Sequence, residues 1–168
     1  AVGLSKINNE EAERVVALVK HIASCGVPKK SIAVLTPYTG QLKLLQRMLQ
    51  AERIYSYRDP GTSCTVSTVD RFQGNEADVV VVSLVIGTKS KTPFVQLRNR
   101  MIVLLSRARI GMYIVANAGY FEHSGSAEHW DATLERMSER AVPDSDVPVK
   151  LEFVDVQIGS EIPTCCPI

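Results

Sequence analysis

The sequence predicts an α/β fold in which a parallel sheet is flanked by helices and followed by an irregular C-terminal tail. Three observations lead there. Short apolar runs at residues 32–35, 64–68, 79–86 and 112–116 alternate with stretches of helical period, and that alternation builds βαβ units around a parallel sheet. The run Val79-Val80-Val81-Val82-Ser83-Leu84 is almost unbroken, as a central strand covered on both faces requires. Glycine and proline stand between the runs, at Gly26-Val27-Pro28, Asp59-Pro60-Gly61 and Gly111, where the chain has to turn.

The elements follow in order. Asn8 and Asn9 precede Glu10, Glu11 and Glu13, a polar cap and then acids in the first turn, which suits the N-terminal end of a helix dipole. Val15, Val16, Leu18, Val19 and Ile22 keep the helical period to about Ser24, and Gly26-Val27-Pro28 ends it. A short strand at 32–35 is followed by a loop, then by a helix at about 41–50 with Leu42, Leu45, Met48 and Leu49 inward. Residues 54–57 read as a short strand before the turn at Asp59-Pro60-Gly61, and residues 64–68 as another. Residues 79–86 form the most secure strand. A helix at 94–107 is broken by Gly111, residues 112–116 are the last core strand, and 126–140 a terminal helix. Residues 1–141 are expected to be one domain. Residues 142–168 form an extension rich in proline and acids, in which 150–156 alternate as an edge strand or an extended tail would.

With 168 residues, 45% of them hydrophobic, the chain can bury one sizeable core. A formal net charge of +1 excludes a protein that coats nucleic acid through general basicity, and leaves room for a narrow groove that tracks a backbone. No signal peptide is visible and no apolar stretch is long enough to span a bilayer, so no membrane association is expected. Cys25 and Cys64 stand singly and Cys165 and Cys166 crowd the end. That is no disulfide framework, and a reducing compartment, cytoplasmic or nuclear, is expected. His21, His123 and His129 lack metal-ligand spacing. The start at Ala1 and the stop just after Cys165-Cys166-Pro167 read as a piece of something larger.

Three polar blocks sit beside the apolar runs. In Thr36-Pro37-Tyr38-Thr39-Gly40-Gln41 the chain leaves a strand and enters a helix. Proline fixes the turn, the helix start offers free N–H groups to a phosphate, and Tyr38 offers a ring for stacking. A plain strand-to-helix turn explains the same residues. In Thr68-Val69-Asp70-Arg71-Phe72-Gln73-Gly74-Asn75-Glu76 a hydroxyl at a strand end precedes a glycine that lets backbone approach a ligand. The Glu76 carboxylate, two residues on, suits a pair of sugar hydroxyls. Asp70 and Asp78 read as capping or salt-bridge carboxylates. Ser106-Arg107-Ala108-Arg109 ends a helix with a guanidinium that can grip two phosphoryl oxygens at once. A basic cluster favoured by the helix dipole is the bland alternative.

The order and spacing of these blocks resemble motifs IV, V and VI of superfamily-one RNA and DNA helicases, over about Ser5 to Asn117. The resemblance implies a RecA-like fold and a role for each block. It implies that Thr36, Pro37, Tyr38, Gln41 and Thr68 contact the nucleic-acid strand, while Gln73, Gly74 and Glu76 line the ATP cleft. Arg107, first in its Ser-Arg-Ala pattern, becomes the arginine finger. Arg109 is expected to make a salt bridge or a backbone contact.

The chain contains no Gly-x4-Gly-Lys-Ser/Thr and no strand ending in Asp-Glu. In such two-lobed motors those groups, with the Mg²⁺ ligands, lie on the first RecA-like lobe. ATP with Mg²⁺, single-stranded RNA (or DNA) and that first lobe are therefore the implied partners, and the second lobe alone is expected to be inactive. Within the superfamily the chain is most similar to the nonsense-mediated-decay-helicase branch. Ser106-Arg107-Ala108-Arg109 with Gly111-Met112-Tyr113-Ile114-Val115, and the ending Ile162-Pro163-Thr164-Cys165-Cys166-Pro167, resemble the large zinc-finger-bearing helicases linked to small-RNA inheritance and antiviral defence. In those a similar ending opens a zinc-finger region. An RNA-binding or protein-docking module with weak or unused ATPase is the alternative function.

Overall fold

The computed structural model describes residues 6–85, 98–116 and 150–151. The predicted terminal helix at 126–140 and most of the C-terminal extension lie outside them. Helix α1 (Asn9–Ser24) begins where the sequence places it. Asn8 is the N-cap, and its side-chain oxygen accepts from the Glu11 N–H at 3.1 Å. Ala12, Val15, Val16, Val19 and Ile22 are buried along one face. Strand β1 (Ile32–Thr36) is buried at all five positions. Helix α2 (Thr39–Ala51) buries Leu42, Leu44, Leu45 and Leu49, and with them Gln41.

Residues 54–57 form no strand. Arg53 adopts φ 57° after the end of α2, and the N–H groups of Ile54 and Tyr55 both donate to the Leu49 carbonyl, at 2.9 and 3.2 Å. Those donors close the helix end, so none is left for a ladder. Strand β2 (Thr65–Thr68) follows, then β3 (Ala77–Ser83), α3 (Arg98–Leu105), β4 (Ala108–Val115) and β5 (Lys150–Leu151).

All pairings are parallel, in the order β2-β1-β3-β4-β5. Strand β3 is therefore central, and it separates two cores. Val79 and Val81 pack with the apolar faces of α1 and α2, whereas Val80 and Val82 pack with Val69, Phe72, Leu104 and Met112 on the other side. The aliphatic run shows no alternation because both of its faces are covered. The link from β2 to β3 must pass β1 to reach the far side of it. Its Val69 and Phe72, 3% and 6% exposed, are pinned in the second core on the way.

Two expectations about residues 94–116 need correction. The described helix ends at Leu105, and Ser106 and Arg107 form the turn before β4. Gly111 is no breaker but lies inside β4, where it pairs with Val79 and Lys150. The register around it is irregular. Ala77 faces Ala108, yet Val79 faces Gly111, so β4 carries one residue more than β3 across this step. Such a bulge bends the strand and re-aims the side chains on it. The extra stretch is Arg109 and Ile110, both exposed.

Candidate functional site

The residues singled out in the sequence fall on opposite edges of the sheet. At the C-terminal edge Thr36 and Thr68 end neighbouring strands and are paired in register. Each hydroxyl folds back on the turn that follows. The Oγ1 of Thr36 accepts from the Tyr38 N–H at 3.5 Å, and that of Thr68 from the Arg71 N–H at 3.3 Å, the geometry by which threonine stabilises a turn. Thr36 is fully buried and Thr68 nearly so. Pro37 and Tyr38 are half-buried, and the Lys6 ammonium stands 5.6 Å from the Tyr38 ring centroid, within cation–π reach.

Gln41 belongs to the core. It is fully buried. Its Oε1 accepts from the Asn8 N–H at 2.9 Å, and its Nε2 donates to the Asn8 carbonyl at 3.0 Å and to Ser83 Oγ at 3.1 Å. With donors and acceptor engaged in the fold, this amide ties the start of α1 to the end of β3. Glu11, 4% exposed, joins it: its Oε1 accepts from Ser83 Oγ at 2.6 Å and from the Val85 N–H at 2.7 Å. Val85 sits at φ 57°, a costly conformation for a β-branched residue, held by that carboxylate at the exit of β3. The sequence reading missed this network. Its signal was present, since Glu11 shares a helical face with Val15 and Val19, and Gln41 with Leu45 and Leu49.

The second group gathers at the N-terminal edge, where the preference for loops after strand C-termini does not place it. Glu76 immediately precedes β3 and Arg107 immediately precedes β4, with Ala77 opposite Ala108. The two blocks, about thirty positions apart, are stitched together. Ala77 N–H donates to the Arg107 carbonyl at 3.1 Å, and Arg107 Nη1 donates to the Asn75 carbonyl at 3.2 Å. The same guanidinium donates through Nε to the Val103 carbonyl at 2.8 Å and through Nη2 to Ser106 Oγ at 3.0 Å. Gly74 has φ +84°, and nothing lies within 4 Å of the place a Cβ would occupy, so its demand is conformational and not for space. Gln73, Gly74 and Glu76 are exposed.

Glu76 is also engaged. Arg109 Nε donates to its Oε2 at 3.0 Å, and Arg109 Nη1 lies 3.9 Å from Asp78 Oδ1. The salt bridges expected of Arg109 and Asp78 are formed, though Arg109 stands on a strand and not a helix. A hollow of about 270 Å³ is lined by Cys25, Val27, Pro28, Asp78, Val79 and Ile110, among others. Among the described residues no cluster of His, Cys, Asp or Glu is placed to hold a metal ion, and no helix is long and apolar enough to cross a membrane. Burial pushes the Cys64 thiol up to about 12.

Residues 2–119 match the model of the AAA_12 family, described as an AAA domain. The chain is 38% identical over 116 residues to human NFX1-type zinc finger-containing protein 1, which takes in 68% of this chain and 6% of that protein. Mouse RNA helicase aquarius is likewise 38% identical over 116 residues, 69% of this chain and 8% of its own length. A regulator of nonsense transcripts 1 homolog from Neurospora crassa is 34% identical over 121 residues, 70% of this chain and 11% of its own length. The chain thus spans between 6% and 11% of these relatives. By the family match and the relatives together, the chain belongs to the AAA_12 family and is a superfamily-one helicase lobe of the nonsense-mediated-decay-helicase-like branch.

Proposed function

We propose that this chain is the second motor lobe of an ATP-dependent RNA helicase. On that reading it supplies an arginine finger, one wall of the ATP cleft and part of the nucleic-acid track, and it turns over no ATP by itself. The observation that supports it best is the joining of two distant blocks at one edge, through the Ala77–Arg107 and Arg107–Asn75 hydrogen bonds. A cation, a carboxylate and a glycine-bearing turn then lie at one edge of the sheet, and on this reading a nucleoside triphosphate meets all three.

Each residue has a task in this reading. Arg107 exchanges its carbonyl bonds for phosphoryl oxygens as the lobes close, and its planar fork stabilises the charge that develops during transfer. Glu76 accepts from ribose hydroxyls. Gly74 and Gln73 let the backbone pass close to the nucleotide. Phosphate cradle, Mg²⁺ ligands and the water-orienting carboxylate belong to the first RecA-like lobe, the chain's principal partner. At the opposite edge Thr36, Pro37, Tyr38 and Thr68 meet the backbone of single-stranded RNA, or DNA, through hydroxyls, helix-start N–H groups and a stacking ring. Closing on ATP and opening after hydrolysis would move the strand past the two lobes.

The names of relatives, an RNA helicase and a regulator of nonsense transcripts, support RNA as the track, and a cytoplasmic or nuclear place of work goes with that reading. Similarity to an NFX1-type zinc finger-containing protein supports residues 142–168 as an extension leading toward a zinc-finger region.

The test is RNA-stimulated ATPase of the two-lobed protein, wild type beside Arg107→Ala and Glu76→Ala. Stimulation lost in both variants is expected. A wild type that binds single-stranded RNA without hydrolysing ATP would replace this reading with an RNA-binding or docking module.

A further inference from the structure

We infer that Arg109 is a positioning residue for the ribose contact, acting through Glu76 and itself held by Asp78. The inference rests on the reading of Glu76 as the ribose acceptor and assigns a task to a residue that reading leaves unused.

Glu76 is a long, half-exposed side chain at the mouth of β3, with 52% of its side-chain surface in solvent. Left alone such a carboxylate samples many rotamers, and fixing it on binding costs affinity. Arg109 removes that freedom. The β4 bulge turns Arg109 outward just opposite Asp78, and its Nε reaches Glu76 Oε2 at 3.0 Å. The contact runs through one guanidinium nitrogen to one carboxylate oxygen. A carboxylate offers about four lone-pair directions, so one such bond leaves Glu76 able to accept from both the 2′- and 3′-hydroxyls. Asp78 Oδ1, 3.9 Å from Nη1 on the same guanidinium, restrains Arg109 from its other side.

Charge supports the same arrangement. A bare carboxylate beside a triphosphate repels it, and Arg109 placed between two carboxylates offsets that repulsion. One guanidinium thus stands within range of Glu76 and Asp78 together.

The experiment uses the two-lobed protein and reads a ratio: kcat/KM for ATP over kcat/KM for 2′,3′-dideoxy-ATP. Glu76→Gln is expected to lower that ratio toward one. Arg109→Gln is expected to lower it by up to about fivefold, the range open to an exposed ion pair, while Arg109→Lys, which keeps the charge, retains most of it. Asp78→Asn should cost about twofold on the same scale. Adding Arg109→Gln to Glu76→Gln should lower the ratio no further, because both act through one contact.

An unchanged ratio in Arg109→Gln, with Glu76→Gln still collapsing it, overturns the positioning role and leaves the ribose contact standing. An unchanged ratio in Glu76→Gln overturns the ribose contact, and the role of Arg109 goes with it.

Discussion

The two edges of this sheet are built on different principles. At the C-terminal edge Thr36, Thr68, Gln41, Ser83 and Glu11 are uncharged or fully engaged, buried, and tied to backbone groups. At the N-terminal edge Glu76 and Arg109 are charged and exposed, with contacts that water can replace. Arg107, half-buried there, is bonded to carbonyl oxygens that a phosphate can outbid. One edge is an extension of the core and owes its geometry to packing. The other is an arrangement of exchangeable partners, cheap to rearrange when a ligand arrives.

The sharpest way to separate them is Arg107→Ala. At the exchangeable edge it should leave folding and ATP binding largely intact while reducing hydrolysis by the two-lobed protein about a thousandfold or more, as loss of an arginine finger does. Steady-state turnover beside equilibrium nucleotide binding checks it. Unchanged turnover would remove the finger.

Glu11→Ala should do the opposite. It strips the partner from Ser83 Oγ and from the strained Val85 N–H in a buried setting, so a loss of about 2–3 kcal/mol in unfolding free energy is expected. Urea titration measures it, and a loss below about 0.5 kcal/mol would mean the network is slack.

Thr68→Ala lies between the two. Removing its turn-stabilising hydroxyl should cost about 1 kcal/mol of stability and weaken single-stranded RNA binding severalfold. Equal RNA affinity would retire the contact.

The effect that is smallest at neutral pH concerns Cys64, 2% exposed just before β2. Its thiol titrates near 12 in the folded chain against 9.0 for the free group, so between those values the unfolded state has lost a proton that the native state keeps. Stability should therefore fall as pH rises from about 9 toward 12, and Cys64→Ala should flatten that slope. At pH 8 exposed Cys25 should alkylate well before Cys64.

Much of this was legible in the residues themselves. The unbroken valines marked β3 as central because each of its faces meets an apolar layer. Asn8 and the acids after it marked α1 because capping chemistry is local. What failed was whatever depends on the third dimension. Residues 54–57 have strand composition, but the N–H groups of Ile54 and Tyr55 close α2. Gly111 looks like a stop until the register of β3 against β4 shows a bulge. Gln41 sits in a block of binding-type residues, yet the helix turns it inward. Nor does any spacing rule say that Thr68 and Glu76, in one continuous block, end up on opposite edges of a sheet.

That last separation has a mechanical meaning. The strap from Val69 to Glu76 is eight residues long and must cross the sheet past β1, with Val69 and Phe72 clamped by the core midway. Turns fold residues 69–74, braced by hydrogen bonds from the Phe72 N–H to the Thr68 carbonyl and from the Asn75 N–H to the Phe72 carbonyl. Inserting a few glycines there would leave every residue at both ends intact, and is expected to weaken RNA stimulation of ATPase in the two-lobed protein.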